Sequence, residues 1–137
     1  MNDTQSIDID WKVCSAGDKR RLLAIKALLA SFPGFLLFLF NKEKPELRAD
    51  AKSLKKFAQS FSSGEQVLIN IAIDIWNGEG GIHFNDIYEI LDTKNFIAVL
   101  KSLDILRGES LHKELRTLKL FEALIDQADA KSNVKSS

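Results

Sequence analysis

The chain has 137 residues, 45% apolar and 28% charged, the ordinary balance of one globular domain built on one core. Nineteen basic and nineteen acidic side chains cancel, so no whole-molecule field draws it to nucleic acid or to an anionic membrane. The charge is segregated all the same: residues 11–60 hold eleven Lys and Arg against four acids, and residues 61–110 hold eight acids against Lys94, Lys101 and Arg107.

The opening MNDTQSIDID has three Asp, no basic residue and no apolar stretch, the reverse of a secretion signal, and reads as a flexible acidic N-terminus over 1–10. Cys14, a lone thiol, fits a reducing compartment, so the expected address is cytoplasmic. Ser15 with Asp18 then caps a helix in which Leu22, Leu23, Ile25, Leu28 and Leu29 return at helical spacing, and Pro33-Gly34 ends it. FLLFLF, Phe35 to Phe40, has no polar face and is either a buried helical turn or a surface anchor; any exposed aromatic marking a partner site is expected at Phe35, Phe38 or Phe40. The run 22–40 approaches the length that spans a bilayer, which gives one alternative, a membrane-associated protein anchored through it. Lys26, the Pro-Gly break and the need of several amphipathic helices for a common core weigh against that alternative.

Pro45 suits a first helical position, and ELRADAKSLKKFAQSF then sets Leu47, Ala51, Leu54, Ala58 and Phe61 on one stripe. Arg48, Lys52, Lys55 and Lys56 form its outer face, the candidate partner-binding surface, with Lys19, Arg20 and Arg21 as neighbours that could extend it. SSGEQ offers two overlapping capping boxes, Ser62 with Glu65 and Ser63 with Gln66, ahead of VLINIAIDIW. Val67, Ile69, Ile71, Ile73 and Ile75 alternate as a strand would; the cap favours helix, and this helix is expected at the centre of the core. Asn70 and Asp74 share one face of it, and their expected work is to hold the following NGEGG turn rather than to catalyse.

IHFNDIYEILDTKNFIAVLKSLDILRG, residues 82–108, reads as two helices joined by LDTKN. Ile87, Ile90 and Leu91 would face inward with Phe96, Val99, Leu100 and Leu103, leaving Thr93, Lys94, Asn95, Ala98 and Lys101 outward. This pattern resembles winged-helix transcription regulators, with ILRG leading into the wing; the resemblance implies DNA binding through Thr93, Lys94, Asn95 and Lys101. The stretch nonetheless carries four acids against three bases, and ESLHKELRTLKLFEALI after it reads as helix rather than as a hairpin. In that last helix, capped by Ser110, the residues Leu111, Leu115, Leu118, Phe121, Ile125 and Ala128 form a seam for the core or for antiparallel pairing in a homodimer. Residues 131–137 have nothing to bury and are expected to be disordered.

His83, Asp86 and Glu89 share a helical face, which is more simply a solvated one, so no metal and no cofactor are expected. Cys14 with His83 or His112 has no local support as a nucleophile pair, and no phosphate-cradling glycine loop is present. The sequence thus predicts an all-α, single-domain compact helical bundle of five to six helices over 1–130, with a helix-turn-helix-like pair at 84–106. Its expected function is non-enzymatic: an adaptor or regulator that meets an acidic protein partner through the basic helical face, with a homodimer through the last helix as a further option. DNA-binding regulation is the alternative.

Overall fold

Capping side chains lay out the helices. The computed structural model describes the backbone of residues 9–136 and, within the last helix, the side chains of 116–129. Among the described residues the chain is all-α, with seven α-helices where the sequence suggests five to six: α1 (Ala16–Leu28), α2 (Phe35–Leu39), α3 (Ala51–Phe57), α4 (Ser63–Asn77), α5 (Phe84–Glu89), α6 (Thr93–Arg107) and α7 (Glu109–Ser136). The Ser15 hydroxyl accepts from the Asp18 N–H at 3.0 Å and opens α1. Ser62 and Glu65 form the reciprocal capping box that opens α4, and Gly78, at φ 79, closes it in the left-handed conformation. The cap settles VLINIAIDIW as helix against the β-branched alternation.

α1 and α4 pack on each other at the centre. Leu22, Ala24, Ile25 and Leu28 from one, and Val67 to Ile69 with Ile71 to Ile73 from the other, are all buried. α2 does not anchor anything on the outside: Leu36, Leu39 and Phe40 are buried, Phe35 stacks between Phe32 and Phe61, and Phe38 packs on the core. Trp11 and Trp76 join Phe40 in a cluster of edge and tilted ring contacts, and the Trp11 indole N–H donates to the Asn41 carbonyl at 2.8 Å. Ile9, assigned by sequence to a flexible N-terminus, is fully buried, Asp10 beside it is exposed, and residues 1–8 of that segment lie outside the described ones. Among the described residues no helix is long and apolar enough to cross a membrane.

One helix is shorter than the sequence pattern implies. Asp50, in an extended conformation, accepts from the Ser53 N–H at 2.7 Å and starts α3 there, so Pro45, Leu47 and Arg48 stand in the loop before it. That loop is closed by Asn41, whose side-chain oxygen accepts from the N–H groups of Glu43 and Lys44, and by the Phe40 to Leu47 bridge. A local Asp cap outcompetes proline at a helix start because it satisfies an N–H that proline merely lacks.

By its contacts the chain divides into two compact units, Met1–Leu106 and Arg107–Ser137, where the sequence reading runs one domain to residue 130. α7 begins at Glu109, one residue before the expected Ser110 cap, and runs to Ser136. The seam residues Leu111 and Leu115 and the side chain of His112 lie outside the described ones.

Candidate interaction surfaces

The basic face survives in reduced form. Lys52, Lys55 and Lys56 on α3 line an open groove of about 450 Å³ together with Ala51, Gln59 and Glu79. Lys52 and Lys56 point to solvent; the Lys55 ammonium instead donates to the carbonyls of Glu79 at 2.8 Å and Gly80 at 3.2 Å. Arg48 is not on this helix, and its guanidinium donates to the Leu37 carbonyl at 2.8 Å. Arg21 is likewise committed, paired with Asp18 and lying 5.4 Å over the Trp76 ring. Of the four predicted partner-binding residues, then, Lys52 and Lys56 are exposed cations on one helix, while Lys55 and Arg48 tie down loops.

Lys55 acts on a loop that α4 holds from the other side. Asp74 accepts from the Gly80 N–H at 2.7 Å and from the Ile82 N–H at 3.3 Å, which is the turn-holding work expected of it. The loop comes so close that a Cβ on Gly80 would stand 1.9 Å from the Asn70 carbonyl oxygen. This pins the entry to α5 against the core.

α5 and α6, joined through 90–92, place the helix-turn-helix-like pair where the sequence has it, with Asp92 as the cap: its carboxylate accepts from the Asn95 N–H at 2.8 Å. The face α6 buries is another matter. Asn95, Ala98, Val99 and Ser102 are inside, and Leu100 and Leu103, expected inside, are 51% and 48% exposed. The reason lies in Leu91, which is buried just before the cap; once it is anchored, positions four, seven, eight and eleven residues further on follow it inward. Asn95, an expected base-contacting residue, is therefore buried, with no hydrogen-bond partner for its Oδ1. Ser102 fits by donating to the Val99 carbonyl at 2.7 Å. Thr93, Lys94 and Lys101 do face solvent.

The outward face of α6 is consequently apolar along Ile97, Leu100 and Leu103. α5 adds Phe84, 80% exposed, whose ring meets that of Tyr88 edge-on, and Ile90 follows it at the turn. The exposed aromatics are thus Phe57, Phe84, Tyr88 and Phe121 and not Phe35, Phe38 or Phe40. Sequence reasoning missed this surface because it assigns the apolar stripe of a helix to the core; the one signal available was the pair Asn95 and Ser102 at core spacing from Leu91.

Among the described residues no three His, Cys, Asp or Glu side chains gather where a metal ion could be held. Cys14 is half-buried, its Sγ 3.8 Å from the Trp11 carbonyl, and His83 is exposed at the start of α5. Set against family models, curated proteins and solved structures, the chain matches none.

Proposed function

We propose that the protein is a non-enzymatic interaction module that receives an apolar partner surface on α5 and α6, with Lys52 and Lys56 free to attract acidic groups of a partner. The observation that carries this reading is the orientation of α6, which buries Asn95 and Ser102 while holding Ile97, Leu100 and Leu103 in water. Single exposed leucines are ordinary on any surface, but successive apolar side chains on one helical face, with two exposed rings on the helix before it, are the kind of surface that marks a protein contact. Covering a half-exposed leucine contributes about 1 kcal/mol, so a few such side chains supply the apolar centre of an interface. The lysines would act mainly on encounter rate and on salt dependence. Cys14 as a lone thiol supports a cytoplasmic address within this reading.

DNA recognition draws less support. A helix reading the major groove needs donors and acceptors on its outward face, and here Lys94 and Lys101 share that face with three aliphatic side chains while Asn95 is withdrawn.

The test uses a photoreactive phenylalanine analogue at Leu100 in the cells from which the protein comes. The reading expects an adduct with another protein that disappears when Leu103→Glu is added, and an association rate that falls when Lys52 and Lys56 are reversed to Glu. A complex indifferent to Leu103→Glu overturns it, as does a duplex-DNA shift that is lost with rising salt and with Lys94→Ala.

A further inference from the structure

We propose that the groove beside α3 is a docking site for a phosphoserine or phosphothreonine side chain of a protein partner. This names the acidic group that Lys52 and Lys56 would meet, and it rests on the reading of a protein partner, but the groove is tested without the α5 and α6 face. Lys55 and Lys56 follow Lys52 at three and four residues, so the three side chains leave α3 on one face. Gln59, in the 3-10 turn Ala58–Ser60 that continues the helix, lines the same groove. Like charges at the spacing of Lys52 and Lys56 weaken a helix, and an anion lying between them turns that repulsion into attraction. Among the described residues none of the three lysines makes a salt bridge. Asp50 lies near enough to Lys52 to be felt by it, but its carboxylate accepts from the Ser53 N–H at the helix start and does not line the groove.

Lys55 makes this more than a solvated basic face. Its ammonium donates to the Glu79 and Gly80 carbonyls, and the loop that carries them is held from the other side by Asp74. An ammonium has three N–H donors, so one is left for a ligand and is already held in place. A fixed donor binds with less loss of side-chain freedom than a waving one. Charge then selects the ligand. The groove is lined by three ammoniums and one carboxylate, that of Glu79, a net charge of +2. A phosphorylated side chain brings a charge of about −2 and three acceptor oxygens, which suits both that balance and the donors of Lys52, Lys55, Lys56 and Gln59. Aspartate or glutamate brings half the charge. The described residues that line the groove include no ring on which a nucleobase could stack, the exposed Phe57 of α3 lying outside it. The groove is also open, so a small ligand would keep much of its surface wet, whereas a phosphoryl group on a protein segment leaves further contact to the segment.

The experiment is a titration of the isotope-labelled full chain, followed by its amide NMR shifts, with a short capped peptide of glycines around one phosphoserine. The expected result is saturable shifts at residues 52–59 and 79–81, with a dissociation constant on the order of 1 mM, as suits a few charge-assisted hydrogen bonds at an open site. Glutamate in place of the phosphoserine should weaken binding about fivefold or more, as should Lys55→Met. Lys52→Gln with Lys56→Gln should abolish saturation, far-UV circular dichroism reporting that the helices remain. Glu79→Gln should tighten binding about threefold by removing the one acid of the lining, a gain that loss of fold does not produce. Leu103→Glu should leave the peptide's affinity unchanged, so failure of the α5 and α6 surface and failure of the groove are read separately. Shifts that do not saturate, equal binding of the glutamate peptide, full affinity in Lys55→Met, or no gain in Glu79→Gln overturns the site. Tighter binding of adenosine monophosphate than of the peptide overturns the protein-borne ligand in favour of a nucleotide.

Discussion

Gly80 is the residue with the least room to change. A methyl group there would stand 1.9 Å from the Asn70 carbonyl oxygen and 2.8 Å from the Asp74 backbone nitrogen, both fixed in the middle of α4. Neither can yield without unwinding a helix that carries a large part of the core, so the loop must lift instead and give up its two hydrogen bonds to Asp74. Gly80→Ala should therefore cost at least about 3 kcal/mol in urea unfolding, against about 1 kcal/mol or less for Gly64→Ala, where a Cβ meets nothing within 4 Å. Equal losses at the two positions would contradict the close approach. Asp50 offers a second test, through pH. Its carboxyl is held below its ordinary value of 3.8 because the carboxylate accepts first from the Ser53 N–H and then from the Ser53 hydroxyl, with Lys52 nearby. A depressed carboxylate stabilises the fold above its unfolded pKa and ceases to do so as pH falls through the folded one. The urea midpoint of the native chain should accordingly exceed that of Asp50→Asn at neutral pH, and the gap should close as pH falls below about 4.

At the scale of elements, α6 separates what sequence pattern can report from what it cannot. Helix starts at Ser15 and Ser62 were legible because each caps a backbone N–H three residues on. The start of α3 was not, because Pro45 suits a first helical position by sequence while the helix is capped five residues later by Asp50, behind a loop closed by the Phe40 to Leu47 bridge. The face of α6 was not legible. Its residues support two stripes, Phe96, Leu100 and Leu103 by hydrophobicity or Asn95, Ala98, Val99 and Ser102 by anchoring to Leu91, and only the tertiary position of Leu91 chooses. The choice is measurable. Asn95→Leu removes a buried Oδ1 that lacks a partner and should stabilise the protein by about 1 kcal/mol, while Leu100→Ser, at a half-exposed position, should change stability by less than about 0.5 kcal/mol. The hydrophobic-stripe arrangement demands the opposite, with Leu100→Ser the damaging change. The candidate surface was illegible for the same reason: residues kept apolar on the outside break the rule that sequence reading depends on.

For the whole molecule, the division at Leu106 and Arg107 has a thermodynamic consequence. Among the described residues the buried hydrophobic core runs from Ile9 to Val99, so the first unit carries a core of its own. The two units should then melt separately. Ellipticity at the helical minimum is predicted to fall in two steps, one for the first unit and one for α7. Phe121→Glu, a change within the second unit, should leave the first unit's step in place. A single cooperative transition that shifts as a whole on Phe121→Glu would mean that α7 folds as part of the first unit.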